Sequence, residues 1–497
     1  MNRIRGRSRG GGSSAAATTA NPAFTDDALT NAAYTDDALT NKRMSADITA
    51  KLHGSTVVTL LGDSLEQHNL IPNISAGSLE LGKWSRGYMN WAEMFDKRGR
   101  MINWSDASVT NRQANGFNQA VSGNNAAQVF ARVSAVTSIP GVKVCILGGG
   151  TNDISSDTSS GNAATRYTAI TTNRRATIDA LLAAGIKVVI MTIPPRPITG
   201  TGSTGWGSGS AGRQLWMDCC AYDQAQADAD PTNIQVVRRD LICSNADADR
   251  TPKTGYLQSD GVHLTPLGGA AVASDNGGLI DALAAWIDPF TGFPEAVTTG
   301  DIATNPTCTG TGGTAGTGTT GTVCDGMQMS RSGSTGVTCV ASKVTVDGIN
   351  YQKLVFTSDG TATGGTNSTF TLNKSGNITS PLPAPGSWYK GWMQFKADAS
   401  PLIEGISLRA RGQPSTPANM DTQSMKSDTG LLWPNIAYEA ADGSPLWQST
   451  PETQWKAGMT SILWNATIVI NNQAAGTTTI YISRMQLVPI IDPTIEF

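Results

Sequence analysis

A chain of 497 residues is longer than one hydrophobic core usually organises, so two or three domains are expected. Its 36 Lys and Arg stand against 39 Asp and Glu, a formal net charge of −3 with only 15% of residues charged, which argues against a body-wide nucleic-acid surface. No run of about 18 apolar residues occurs, so no membrane-spanning helix is expected and the chain reads as soluble.

Residues 1–45 form a basic leader in which Arg3, Arg5, Arg7 and Arg9 alternate with small residues ahead of a Gly/Ser run. No apolar stretch follows, so the leader does not read as a secretory signal peptide. It contains a repeat of period 10, "FTDDALTNAA" then "YTDDALTNKR". Each copy places Thr as an N-cap before two acids and an Ala-Leu pair, the pattern of a short helical turn. A partly ordered leader is the plainer reading and a docking peptide the sharper one.

Residues 46–290 alternate short apolar runs with helical patterns, the signature of parallel strands joined by crossover helices. The expected strands are "TVVTLL", "FNQAV", "VKVCIL", "KVVIMTI" and "IQVV". Tyr88, Trp91, Met94 and Phe95 fall at helical spacing, as do Ile178, Leu181 and Leu182 before a stopping Gly185. Thr265 and Pro266 read as N-cap and first residue of a helix that is interrupted at "DNGG" and resumes through Leu279, Leu283 and Trp286.

Residues 291–325 read as a linker, because "TCTGTGGTAGTGTTGTV" is almost all Thr, Gly and Ala and offers little side chain to bury. Seven cysteines without close paired spacings do not suggest a disulfide framework or a zinc site, and whether Cys308 and Cys324 pair is left open. Residues 326–497 lose the helical patterns. There "KVTVDGINYQKLVF" turns about Asp-Gly and "ATIVINNQAAGTTTIYISRMQLVPI" reads as another hairpin, so an all-β sandwich is expected. Its last stretch resembles the final strand of carbohydrate-binding jelly-roll modules.

The chain has three histidines, which shortens the search for a base. His53 and His68 read as surface residues. His263 lies three residues after Asp260, directly before the Thr265-Pro266 helix start. A serine hydroxyl needs an imidazole to take its proton and a carboxylate to orient that imidazole. Asp260 and His263 form that pair, and Ser64 leaves the first strand in "LLGDSL", at the rim where loops from parallel strands converge. Gly123 in "AVSGNN" and Asn152 in "GGGTND" follow later strands and, with the Ser64 N–H, can supply donors to an oxyanion.

Gly62-Asp63-Ser64-Leu65, Gly123, Gly150-Thr151-Asn152-Asp153 and Asp260-Gly261-Val262-His263 resemble, in order, the four blocks of the SGNH (GDSL) hydrolase family, over about residues 50–290. The resemblance implies a flavodoxin-like three-layer α/β/α domain, joined here to the C-terminal jelly-roll-like sandwich. It implies Ser64 as nucleophile, His263 as base then acid, Asp260 as its orienter, Ser64, Gly123 and Asn152 as oxyanion donors, and no metal or cofactor. Two stretches depart from the pattern. The long segment between Ser64 and Tyr88 would form an extra wall, and the Gly-rich loop 199–212 carries Trp206, which would either cap a sugar at the substrate rim or pack on the domain.

The expected function is a serine esterase that removes O-acetyl groups from a polysaccharide. Six tryptophans in the β-module, at 388, 392, 433, 447, 455 and 464, could stack on sugars, although core packing accounts better for most of them. The leader and the esterase-plus-sandwich order resemble a bacteriophage tail spike, anchored to virion structural proteins through its N-terminus and commonly a homotrimer. A non-catalytic glycan-binding adhesin and a lipid esterase or thioesterase are the alternatives.

Overall fold

The computed structural model describes residues 56–490, apart from 76–77, 97–98, 101–103, 106–117, 140, 156–161, 203–205, 288–300, 304, 362–364, 414–418, 428–429, 441 and 456. The leader with its repeat, and His53, therefore lie outside the described residues.

The first half is built on a five-stranded parallel sheet. Its strands are β1 (Thr56–Leu61), β4 (Gly99–Arg100), β6 (Val144–Leu147), β7 (Lys187–Met191) and β8 (Ile234–Val237), in the order β4-β1-β6-β7-β8. Strands β2 (Leu70–Ser75), β3 (Ser78–Trp84) and β5 (Trp104–Ser105) of the same half belong elsewhere. Val58, Leu60, Cys145, Ile146 and Val188 to Met191 are fully buried, as in strands covered on both faces, where apolar runs are continuous rather than alternating.

Ten helices are described in this half. They are α1 (Ser64–Gln67), α2 (Tyr88–Phe95), α3 (Ala126–Phe130), α4 (Val133–Thr137), α5 (Thr151–Ser155), α6 (Ala163–Ala183), α7 (Ala211–Ala229), α8 (Arg239–Ile242), α9 (Pro266–Ser274) and α10 (Leu279–Ala284). Helices α2, α9 and α10 pack together, and α6 packs with α3 and α7. The stop at Gly185 is real: it adopts φ +73°, and its N–H bonds to Leu182 O at 2.9 Å. Thr265 caps α9 by accepting from Gly268 N at 3.1 Å.

Among the described residues, one expected strand is reduced to a bridge. "FNQAV" contributes a single bridge, Asn118 beside Leu60, with Gln119 N bonded to Leu60 O at 2.7 Å and Val121 N to Gly62 O at 3.1 Å. Farther back along β1, its partner is β4. Past the bridge, residues 119–121 leave the sheet for a turn.

The segment expected to form a wall after Ser64 is a hairpin, β2 against β3, and it joins the C-terminal half. There β3 runs parallel to the strand Asn419–Lys426 and extends an eight-stranded sheet. A second eight-stranded sheet faces it and takes β5 beside Glu452–Gln454. Alternating burial along Asn367–Lys374 and the edge-on pair Phe356–Phe370, with centroids 4.9 Å apart, belong to the core between sheets.

The Gly/Thr tract is also not a linker. Thr314–Ala315 pairs with Met327–Gly333, and Thr319–Gly321 with Val337–Val346, while Cys308, Val323 and Cys324 are buried. A tract poor in side chains still carries a full set of backbone donors and acceptors, and here it spends them on sheet edges. All seven cysteines are free thiols, Cys308 and Cys324 included. Trp388, Trp433, Trp447, Trp455 and Trp464 are buried, so packing accounts for them.

Candidate active site

Ser64 is placed by the turn that ends β1. Asp63 is the N-cap of α1: its Oδ1 accepts from Leu65 N at 3.0 Å, while Glu66 Oε2 accepts from Asp63 N at 3.2 Å, a reciprocal capping box. Ser64 is thereby the first residue of the helix, where a backbone N–H has no partner inside the helix and points outward.

The fourth and most distant block reaches this serine from 199 residues away. His263 Nε2 lies 2.9 Å from Ser64 Oγ, and His263 Nδ1 lies 2.6 Å from Asp260 Oδ2. The other oxygen, Asp260 Oδ1, accepts from the N–H groups of Val262 at 2.8 Å and His263 at 3.0 Å. Gly261 makes this tight return with φ +68°, a conformation that favours glycine. Burial alone would raise the Asp260 carboxyl, but the hydrogen bonds from the His263 and Val262 amides and from the His263 ring outweigh it and hold it below the usual carboxylate range. A carboxylate that stays charged fixes the ring so that Nε2 faces the serine.

Gly123 and Asn152 come to the same rim. Gly123 adopts φ +80° in an exposed turn. Asn152 lies in the first turn of α5, after Gly149 and Gly150 at φ +108° and +95°, and its Nδ2 donates to Asn124 O at 2.9 Å. One amide hydrogen thereby ties Asn152 to the Gly123 turn.

Beside Ser64 lies a buried charge pair that sequence reading missed. Glu66 and Arg239 are both fully buried, joined at 2.8 Å from Nη1 to Oε1, and Tyr88 Oη donates to the same oxygen at 3.2 Å. Arg239 Nε also donates to Thr192 O at 2.7 Å. The Glu66 carboxylate fills the space beside Gly62 and Gly148, where any side chain would collide with it. Burial first, then the neighbouring Glu66 carboxylate, pushes Asp63 up to about 7.

Two expectations need correction. Trp206 is fully buried, not at a substrate rim: it stacks 5.6 Å from Trp216, the Arg196 guanidinium lies 5.2 Å over its ring, and Arg213 Nε holds its carbonyl at 2.8 Å. Two arginines and an apolar cluster draw it inward. His68 is not a remote surface residue either: its ring lies 4.4 Å from that of His263. Its position four residues after Ser64 was the available signal, since residues four apart on a helical turn share a face. Among the described residues, no three His, Cys, Asp or Glu side chains gather as a metal site would require.

Residues 60–271 match the model of the GDSL-like Lipase/Acylhydrolase family. A GDSL-like lipase from Bacteroides thetaiotaomicron is 15% identical, with 48% of this chain and 90% of that one covered at a TM-score of 0.29. The acetyl xylan esterase AlAXEase is 20% identical, covering 44% and 96% at 0.29. An acetyl-xylooligosaccharide esterase from Geobacillus is 15% identical, covering 45% and 93% at 0.30. No curated protein matches the chain. The family match supports a GDSL/SGNH esterase or acylhydrolase for this region, with substantial extra β-structure behind it.

Proposed function

We propose that the protein is a serine esterase that deacetylates a polysaccharide through an acyl-enzyme. The observation that carries this reading is the continuous relay from Asp260 through His263 to the Oγ of Ser64, at 2.6 and 2.9 Å. His263 takes the hydroxyl proton as Ser64 attacks the ester carbonyl, and the same imidazolium then protonates the departing sugar alkoxide. The tetrahedral oxyanion is met by the N–H groups of Ser64 and Gly123 and the amide of Asn152, each worth roughly 100- to 1000-fold in rate. Water deprotonated by His263 then releases acetate and restores the serine.

An acetylated glycan is favoured as substrate because the site lies on a domain knit to a large β-sandwich. The basic leader and its tandem repeat fit a particle anchor, so we extend the reading to a virion appendage. Wild type and Ser64→Ala are to be compared on p-nitrophenyl acetate and on acetylated polysaccharides, with acetate release measured. Activity in wild type and its loss to background in Ser64→Ala is expected. Binding of glycan with no turnover in wild type would instead identify an adhesin.

A further inference from the structure

We propose that Gln67 is a positioning residue that sets the Gly123 N–H at the oxyanion, a role resting on the esterase reading above. Within itself, the turn carrying Gly123 is closed by one long hydrogen bond, Asn124 N to Val121 O at 3.3 Å, and Val121 N ties its start to Gly62 O at 3.1 Å. Gly123 is exposed at φ +80°, and a Cβ placed there would meet nothing within 4 Å. No neighbour packs against that side of Gly123, yet an oxyanion donor must be held in place before charge develops.

The two residues flanking it are both tied to the site. On one side, Ser122 N donates to Gln67 Oε1 at 3.0 Å. On the other, Asn124 O accepts from Asn152 Nδ2 at 2.9 Å. The Gly123 peptide is thus strung between two side-chain anchors. Asn152 already belongs to the site, whereas Gln67 has no other assigned part in it. Gln67 is also the last residue of the four-residue helix that begins with Ser64. Nucleophile and clamp are therefore mounted on one short rigid element, and the distance between attacking oxygen and oxyanion donor is set locally. Asn118 reinforces the joint from below, its Nδ2 donating to Gln67 O at 3.3 Å.

The test compares Gln67→Met, which keeps length and shape but cannot accept the Ser122 hydrogen bond, with Gln67→Glu, which can. On p-nitrophenyl acetate, Gln67→Met is expected to lower kcat about tenfold, a part of the effect of losing a whole donor, with KM nearly unchanged. Gln67→Glu should recover most of kcat, and both should unfold at the wild-type temperature because the bond is exposed. Wild-type kcat in Gln67→Met, or equal slowing in both variants, would overturn the proposal. Ser64→Ala run alongside separates the two questions: if it is inactive while Gln67→Met is unaffected, only the clamp fails, and if it stays active, both readings fail.

Discussion

A second imidazole lies against His263, with the His68 and His263 ring centroids 4.4 Å apart and tilted by 46°. Burial, followed by the positive charges of Arg86 and a protonated His263, pulls the His68 pKa down to about 2, against a smaller opposing pull from Asp260. His68 is therefore neutral at neutral pH, a ring packed against His263 rather than a second base. The unfolded chain takes up the His68 proton near ~6.5 but the folded chain refuses it, so stability is whole above that pH and is lost as pH falls below it. Thermal unfolding of His68→Phe between pH 4.5 and 8 should fall less steeply on the acid side than wild type, with ester hydrolysis kept within a few-fold. An unchanged slope would mean that His68 is solvated. At this scale the arrangement of Asp260, His263 and Ser64 was legible because a serine–imidazole–carboxylate relay restricts residue type and, of three histidines, only His263 follows an Asp by three residues. Trp206 and His68 were not, because exposure depends on what folds over them.

The Glu66–Arg239 pair joins elements rather than residues. Glu66 belongs to α1, Arg239 opens α8, Tyr88 opens α2, and the carboxylate fills the gap between the ends of β1 and β6. A buried pair is weak evidence of net stabilisation, but breaking one leaves a lone buried charge. Glu66→Gln removes the anion while keeping the shape, so Arg239 stays in the core without its partner. The expected cost is about 3–5 kcal/mol in urea unfolding, and a loss under 1 kcal/mol would show that water or a second anion reaches Arg239. The elements themselves were legible where one physical cause dominated. Strands β1, β6, β7 and β8 are apolar because helices cover both faces, and α9 starts where Thr265 and Pro266 start helices. The Gly/Thr tract was misread because composition reports side-chain burial, and this tract is held by its backbone: Gly313 N to Val323 O at 3.0 Å and Thr322 N to Ala341 O at 2.8 Å. Pairing between distant edges leaves no trace in local pattern, which is why the β2–β3 hairpin read as a wall.

On the scale of the whole molecule, that hairpin decides whether there are one or two folding units. Strand β3 completes a sandwich sheet, and Lys83 at its end holds Glu93 of α2 at 2.9 Å and Ser449 of the sandwich at 2.9 Å. Trp91 of α2 is fully buried with its ring edge-on to Trp433, centroids 4.9 Å apart. Uncovering a residue of that size costs about 1.5–3 kcal/mol, and the bare edge of β3 would add unpaired backbone groups. The hydrolase half therefore does not keep its native surface when the sandwich is removed. A chain cut to residues 46–300 should aggregate, or, if recovered, hydrolyse p-nitrophenyl acetate far more slowly than the intact chain, because β2 begins only two residues after His68. Calorimetry of the intact protein should give one transition, with its calorimetric and van't Hoff enthalpies in agreement. Two resolved transitions, together with a fully active 46–300 fragment, would show instead that the shared sheet is a contact between independent domains. A single transition would tie the rim carrying Ser64 to the sandwich through β2 and β3.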